Sequence, residues 1–323
     1  MKWLSVTMLS LLLWSAGCHQ VTTPSPDSTI QLDTTLFTAP QPSGIIRDLA
    51  LAEVSGMAPS LRNPGHLWVQ EDSGNPNQIQ LISPEGNVMG RFTLPTLSNQ
   101  DWEDIATSPG PEAGQSYIYV AEIGDNAAGR ANRIIHRLFN WPASKVIYRL
   151  TEPVLASRTL PTMGTIPAVV TIRLILPDGP RDAEAILVDP VTNDIYVLSK
   201  EWDCEIYRAA YPQSLTAPVA MQRVLTVPLR RVTSAAISPD GTEILIRTYK
   251  QLFYYKRRAG ESIPAALKRT PRLIPLALEP QGEAISWRLD GSGYYSASEK
   301  SDDDPQIIYG YQRKRGVSPG PAN

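Results

Sequence analysis

A short motif recurs five times along this chain of 323 residues. In each copy, a polar residue is followed two and four positions later by residues that mostly suit a buried face. A proline comes six positions after the polar residue in four of the five copies. The motif begins at Glu53, Glu103, Glu184, Thr233 and Glu283, so successive copies lie 50, 81, 49 and 50 residues apart. A nearly constant period of this length predicts a repeat architecture.

Each copy continues with further runs that are typical of β-strands. Alternating Tyr, Val and Ile residues between turns rich in Pro, Gly and Asn are a strand signal. Second strands are predicted at HLWVQ, YIYVA, DIYVL, EILIR and GYYSA, and third strands at NQIQLI, NRIIHRL, CEIYRA, QLFYYKR and QIIYGYQ. Fourth strands are predicted at residues 87–94, 222–227 and 272–278. Four antiparallel strands in each unit predict an all-β fold, a β-propeller of five four-stranded blades.

The interval between the second and third copies is longer than the others. It contains residues 140–168, a proline-rich stretch that we interpret as a long insertion in the second blade. A degenerate sixth blade is the alternative interpretation. The last unit has no fourth strand of its own, and we expect residues 44–51 to supply it. Such an N-terminal strand would close the ring and remove an exposed sheet edge.

The N-terminus has the features of an export signal. Residues 1–17 combine Lys2 with an apolar run of signal-peptide length, too short to span a bilayer as a stable helix. The small residues that precede Cys18 resemble a bacterial lipobox, which implies that Cys18 carries a lipid. Ser15 departs from that pattern, and an ordinary secretory signal is the alternative. We therefore expect a protein exported to the cell envelope and held at the membrane through lipid alone.

The remaining domain boundaries follow from composition. Residues 18–43 are rich in Thr, Ser and Pro and predict a tether, with one strand near residues 29–37. Residues 44–315 form the predicted propeller, and residues 316–323 a disordered tail. Cys204 is the second of only two cysteines, and we interpret it as a small buried hydrophobe. A formal net charge of −2 gives no basic field, which argues against nucleic acid as a partner.

The five motif residues are expected to meet at one end of the propeller axis. Because the first two strands of a blade are antiparallel, the start of the first strand and the loop after the second lie at the same end. Two carboxylates about 6 Å apart repel by roughly 3 kcal/mol at an effective dielectric constant near 20. The ring of Glu53, Glu103, Glu184, Thr233 and Glu283 therefore predicts protonation, pairing or a bound cation. Oxygen ligands in an irregular set favour Ca²⁺, and the presence of only three histidines argues against zinc.

The loops around this ring carry charges of both signs. Lys200, Arg247 and Lys250 are candidates for holding an anionic substrate near the metal, and Asp101 is a candidate base or additional ligand. Salt bridges between blades are the alternative explanation of the mixed charges. A further alternative is that the acidic ring lines a water-filled channel and binds no metal.

The strings DWEDIA, YIYVAEIGDN, DAEAILVDP and QGEAIS resemble a family of uncharacterised bacterial secreted or lipoprotein propellers across residues 44–313. More distantly, the ring resembles that of the calcium-activated nucleotidases (apyrases), five-bladed propellers with a central Ca²⁺. That resemblance implies that Glu53, Glu103, Glu184, Thr233 and Glu283 bind Ca²⁺; Thr233 is a mild departure in the hydroxyl position. Phytase-like esterases and the six-bladed lactonases of the paraoxonase and gluconolactonase types are further neighbours. A shared fold does not transfer a reaction.

Two functions follow from these patterns. The first is a Ca²⁺-dependent hydrolase of phosphate esters, or of lactones and carboxylic esters, acting on a small anionic substrate. The second is a non-catalytic propeller that binds an envelope protein or a glycan through its loops. We expect a monomer in either case.

Overall fold

The computed structural model describes residues 30–125, 144–155, 161–301 and 304–316. These residues form five sheets, each an antiparallel meander of four strands, and the prediction of a five-bladed propeller is confirmed. Blade 1 consists of β2 (Val54–Pro59), β3 (Leu67–Glu71), β4 (Gln78–Ile82) and β5 (Val88–Thr93). Blade 2 consists of β6 (Trp102–Ser108), β7 (Tyr117–Glu122), β8 (Ser144–Thr151) and β10 (Val170–Ile175).

The other three blades repeat this order. Blade 3 consists of β11 (Ala183–Val188), β12 (Ile195–Ser199), β13 (Cys204–Ala209) and β15 (Gln222–Val227). Blade 4 consists of β16 (Val232–Ile237), β17 (Glu243–Thr248), β18 (Leu252–Lys256) and β19 (Arg272–Ile274). Blade 5 consists of β20 (Gly282–Trp287), β21 (Gly293–Ser298), β22 (Gln306–Gln312) and β1 (Gln41–Ile46). A short helix, α1 (Ile263–Leu267), precedes β19.

The ring closes through both its innermost strands and its cores. Each first strand contacts the first strand of the next blade, and β20 contacts β2. Between each pair of neighbouring blades lies one cluster of buried apolar side chains, five clusters in all. Apolar faces on both sides of each sheet explain why the first strands are buried along nearly their whole length. The hydrophobic core is thus divided into five wedges around the axis.

The N-terminal strand closes the ring as predicted. β1 pairs antiparallel with β22 and supplies the fourth strand of blade 5, although it covers residues 41–46 rather than 44–51. Within the predicted tether, the described residues from Leu32 onward already contact the propeller. Leu36 and Phe37 are fully buried between blades 4 and 5, and the Phe37 ring lies 4.9 Å from that of Tyr294. The packed part of the chain therefore begins before Gly44.

Blade 2 differs from its predicted form. Its third strand is β8, which lies inside the stretch of residues 140–168 that we interpreted as an insertion. The predicted third strand NRIIHRL lies outside the described residues. Two short strands add a parallel fifth strand to existing blades: β9 (Thr162–Thr165) pairs with β5 and β14 (Val219–Ala220) pairs with β10. The described part of the long interval completes blade 2 and extends blade 1, so it does not form a sixth blade.

Candidate functional site

A β-bulge at the start of the first strand recurs in all five blades. In each, the register between the first and second strands shifts so that one residue is left over. A bulge bends the strand and re-aims the extra side chain. We call these five extra residues the ring position; they are Ser55, Glu103, Glu184, Thr233 and Glu283. We call the end of the propeller where they lie the hub face.

This register corrects the sequence prediction in blade 1. Val54 is paired with Glu71 as Trp102 is paired with Glu122, so Ser55, rather than Glu53, corresponds to Glu103. The backbone carbonyls agree, because Glu53 accepts a hydrogen bond from the N–H after β3 just as Asp182 accepts one from the N–H of Lys200. Glu53 is exposed and its Oε2 accepts a hydrogen bond from Asn75. The ring position therefore holds three glutamates and two hydroxyl residues.

The two hydroxyl residues of the ring position are occupied by structural hydrogen bonds. Ser55 Oγ donates to the carbonyl of Glu103 at 2.6 Å, and Thr233 Oγ1 donates to the carbonyl of Gly282 at 3.2 Å. Both side chains are buried. Each bond links one blade to the next, which is a structural role that the sequence interpretation of Thr233 as a ligand did not include.

The three ring-position glutamates are buried and hold protons more tightly than exposed carboxyls do. Burial raises the pKa of Glu184 to about 8 against the opposing attraction of Lys200. Burial, followed by repulsion from Glu299, raises the pKa of Glu283 to about 8, and Tyr249 donates a hydrogen bond to Glu283 at 3.2 Å. Burial and then the charge of Glu184 raise the pKa of Glu103 well above its ordinary value.

Lys200 supplies a positive charge inside the hub face. Its Nζ donates to Glu184 Oε1 and lies 5.2 Å from the centre of the Tyr249 ring. Burial alone would lower the pKa of Lys200, but Glu184 raises it above the ordinary value. The charge of the same ammonium also opposes the increase in the pKa values of Glu103 and Glu283. Lys200, predicted to hold a substrate anion, thus acts first as a counterion for the ring glutamates.

The other two predicted anion-binding residues lie in different surroundings. Arg247 is fully buried between blades 4 and 5, where it forms a salt bridge with Glu279 and donates to the carbonyls of Ala284 and Ala297 at 2.7 and 3.2 Å. These contacts engage both terminal nitrogens of the buried guanidinium, so Arg247 does not face the mouth as predicted. Lys250 is exposed. The position of Arg247 at the end of a predicted strand did not show whether its side chain lies between two blades or at the rim of the hub face.

Asp104 lies at the axis and was missed by the sequence analysis. Its carboxylate accepts hydrogen bonds from the N–H of Ile105 at 2.9 Å, the N–H of Ile186 at 3.0 Å and Ser234 Oγ at 3.2 Å. These bonds join blades 2, 3 and 4 across the axis, and β16 contacts both β2 and β6 directly. Buried side chains therefore cross the axis below the ring position, between the hub face and the opposite end of the propeller.

A compact group of three carboxylates lies to one side of the axis. Asp72, Asp101 and Glu103, which we call the acid trio, each offer an oxygen atom, and these atoms lie within 4.8 Å of one another. Burial raises the pKa of Asp72, and Asp101 and Glu53 add to the increase. Asp101 was predicted as an accessory residue, and the structure brings it beside Glu103.

Lys145 is a second buried cation near these carboxylates. It is 4% exposed and its Nζ donates to the carbonyl of Gly124 at 3.1 Å. Burial lowers its pKa, and the carboxylates of Asp125 and Asp182 oppose that change. The sequence analysis missed Lys145 because it placed this residue in an insertion rather than at the start of β8.

The opposite end of the axis, which we call the far face, has a different character. A pocket there is lined by apolar residues from the ends of four first strands, among them Met57, Ile105, Val188 and Ile237. The prolines of the repeat also line it, at Pro59, Pro109, Pro190 and Pro239. The acidic ring position at the hub face and the apolar pocket at the far face thus lie at the two ends of one axis.

Comparisons with known proteins give the following results. No family model matches this chain, and no curated protein matches it. The solved structures to which it is similar include U3-55K, at 11% identity and a TM-score of 0.37, covering 80% of each chain. They also include the WD40 repeats of RRP9, at 11% identity and a TM-score of 0.38, covering 81% of this chain and 80% of that one. The five-bladed assignment rests on the sheet topology described above.

Two predictions concern attachment to a membrane. Cys18 lies outside the described residues, so its lipid remains a prediction. Among the residues that the structure describes, no helix has both the length and the apolar character needed to cross a bilayer.

Cys204 is buried as expected, and burial raises the pKa of its thiol, which suits a packing role.

Proposed function

We propose that this protein is an exported, lipid-anchored propeller that binds Ca²⁺ at its hub face and uses that face to bind a protein or glycan of the cell envelope. The observation that carries this proposal is the excess of buried carboxylates over cations at the hub face. Three ring glutamates, Asp72 and Glu299 all have raised pKa values, chiefly through burial. A bound divalent cation would replace the protons that these groups otherwise take up.

Ca²⁺ suits this set of groups better than other common metals. The donors are carboxylate oxygens in an irregular arrangement, which Ca²⁺ tolerates with six to eight ligands. Glu103 Oε1 is buried and has no hydrogen-bond partner in the part of the chain that the structure describes, which fits a cation. When bound, Ca²⁺ would supply positive charge and hold the loops of the hub face in place.

A large aromatic side chain supports ligand binding at the same face. Trp202 lies in the loop between β12 and β13, its side chain is 71% exposed, and the guanidinium of Arg230 lies 4.5 Å from the centre of its ring. Exposed Trp and Arg are enriched where binding energy concentrates. Trp faces also stack on sugar rings and on aromatic groups, which suits a glycan or a protein partner.

Hydrolysis of phosphate esters, lactones or carboxylic esters is the second candidate. Glu184 and Glu283 favour it, because carboxyls with pKa values of about 8 could exchange protons near neutral pH. Against it, two of the three cations expected to hold an anion are already engaged: Arg247 by Glu279 and Lys200 by Glu184. The acidic hub face would also repel an anionic substrate unless a metal were bound.

The test begins with the mature chain, stripped of metal by a chelator. Calorimetric titration with Ca²⁺ should show binding, and Ca²⁺ should raise the melting temperature. A screen of phosphatase, nucleotidase and lactonase substrates, with and without chelator, then separates the two candidates. Turnover that disappears with chelator would favour the hydrolase. Absence of Ca²⁺ binding would refute both candidates.

A further inference from the structure

We infer that the hub-face Ca²⁺ binds off the propeller axis, on Asp72, Asp101 and Glu103 at the seam between blades 1 and 2. This inference rests on the proposed function, because it names the residues that hold the cation. It differs from the sequence prediction, which placed the cation on the axis among all five motif residues.

The spacing of the acid trio fits one cation. Oxygens that bind a common Ca²⁺ lie about 2.3–2.6 Å from it, so two of them are at most about 5 Å apart. The three carboxylates meet this limit, with one oxygen of each within 4.8 Å of the others. Water molecules and a second carboxylate oxygen could complete the coordination, as is usual for Ca²⁺.

An unpaired, buried atom points independently to a ligand. Glu103 is 2% exposed, and its Oε1 has no hydrogen-bond partner among the described residues. A buried carboxylate oxygen left without a partner is costly, and buried charges are normally paired or bind a metal. A cation at the acid trio would satisfy this atom.

Gly124 brings the backbone close to two of the three carboxylates. A Cβ at this residue would lie 2.0 Å from Glu103 Oε1 and 2.5 Å from Asp101 Oδ2. Any larger residue would therefore displace these two oxygens. Gly124 leaves them in place, and the same close approach shows that Glu103 Oε1 and Asp101 Oδ2 point toward one region.

Hydrogen bonds hold the acid trio in position across the seam. Asn99, which precedes β6, donates to the carbonyls of Glu71 and Asp72 at 3.0 and 2.6 Å. Ser55 donates to the carbonyl of Glu103 from the blade 1 side. Asp72 belongs to blade 1 and the other two carboxylates to blade 2, so a cation here would link the two blades.

The axis itself is less suited to a cation. Lys200 already places an ammonium against Glu184, and Thr233 donates its hydroxyl hydrogen to a backbone carbonyl. Glu283 is bonded to Tyr249, and repulsion from the adjacent Glu299 contributes to its raised pKa. The acid trio is the part of the hub face where carboxylates converge around an unpaired oxygen.

The experiment titrates Ca²⁺ into the chelator-stripped mature chain and into single variants. Asp72→Asn, Glu103→Gln and Gly124→Ala should each weaken Ca²⁺ binding by at least about tenfold. Gly124→Ala retains every carboxylate and so tests the geometry alone. The matched control, Glu283→Gln, removes a hub-face carboxylate outside the acid trio and should change affinity by less than about threefold.

Melting in chelator checks that each variant is folded, and the shift in melting temperature on adding Ca²⁺ gives a second measure of binding. If Ca²⁺ binds and only Glu283→Gln abolishes binding, the off-axis site is refuted while the proposed function stands. If the wild-type chain binds no Ca²⁺, both fail. If Asp72→Asn is folded and binds as the wild type does, the acid trio is not the site.

Discussion

The hub face and the far face both contain buried carboxylates, but the ring glutamates of the hub face are less completely paired than Asp189 and Glu152 of the far face. At the far face, Asp189 forms two parallel hydrogen bonds with Arg257, at 2.8 and 2.9 Å. Glu152 accepts hydrogen bonds from Ser60, Trp68 and Ser116. At the hub face, one oxygen of Glu103 has no hydrogen-bond partner among the residues that the structure describes, and the ring glutamates have raised pKa values.

This difference separates the end of the propeller whose carboxylates contribute to stability from the end that we propose as the binding face. A carboxylate held by a bidentate arginine joins elements and keeps its charge. Carboxylates that are crowded together with too few cations lower the stability of the folded chain. Groups with strongly shifted pKa values concentrate at functional sites. The repeat places similar strands at both ends, so the choice of side chains at the strand starts and turns makes the difference.

The largest expected effect comes from breaking a far-face pair. Asp189→Ala leaves the guanidinium of Arg257, which is 7% exposed, without its partner, and should lower the free energy of unfolding by about 3–5 kcal/mol. Urea denaturation measures this loss. Ca²⁺ affinity of the folded variant should not change. A loss below about 1 kcal/mol, or a parallel loss of Ca²⁺ binding, would remove the distinction between the two faces.

The second effect is a dependence of stability on pH that originates at the hub face. The folded-state pKa of Glu283 is about 8, against an ordinary value of 4.5. Between these values the folded chain binds a proton that the unfolded chain has lost, so stability falls as pH rises, by at most about 1.4 kcal/mol per unit. Urea denaturation in chelator at several pH values measures the slope, and Glu283→Gln should flatten it. An unchanged slope in that variant would show that other groups dominate.

A smaller effect concerns the internal counterion. Lys200→Met removes an ammonium whose charge acts on both Asp72 and Glu103, so Ca²⁺ affinity should rise by about tenfold. Lys250→Met, at an exposed position of the same face, is the matched control and should change affinity little. Calorimetry compares the two variants. Equal or weaker Ca²⁺ binding in Lys200→Met would show that the ammonium does not compete with the metal.

The smallest effect on stability is expected at Trp202. Because its side chain is 71% exposed, Trp202→Ala should change the free energy of unfolding by less than about 0.5 kcal/mol. Urea denaturation tests this expectation. A loss of more than about 1 kcal/mol would assign Trp202 a packing role and remove it from the proposed binding face.

The sequence predicted the fold well because strand alternation and repeat spacing are local signals. It placed the ring position correctly in four blades, where Glu103, Glu184, Thr233 and Glu283 are the bulged residues. It misplaced the fifth by two residues, because Glu53 and Pro59 happen to reproduce the spacing of the motif. A bulge sets two residues opposite one, and only the pairing of Val54 with Glu71 shows where it lies.

The site was harder to predict because its chemistry depends on contacts between blades. Asp104 follows Glu103 directly, yet its partners Ile186 and Ser234 come from two other blades. Asp72 and Asp101 belong to different blades, and their approach depends on how blade 1 packs on blade 2. Gly124 was the available signal, since a glycine between charged residues in a loop often marks a close backbone approach.

The closing strand would have a mechanical consequence under the proposed lipid attachment at Cys18. Tension on the N-terminal end reaches first the contacts of residues 32–38 with blades 4 and 5. There Leu32 bridges to Leu273, the N–H of Thr38 donates to the carbonyl of Gln312, and Phe37 is buried in the core. Only after these contacts yield does the load reach β1 and its pairing with β22. With that anchor, the contacts of residues 32–38 would bear a pulling force before the pairing of β1 with β22 did, and their removal would expose the ring closure to the force directly.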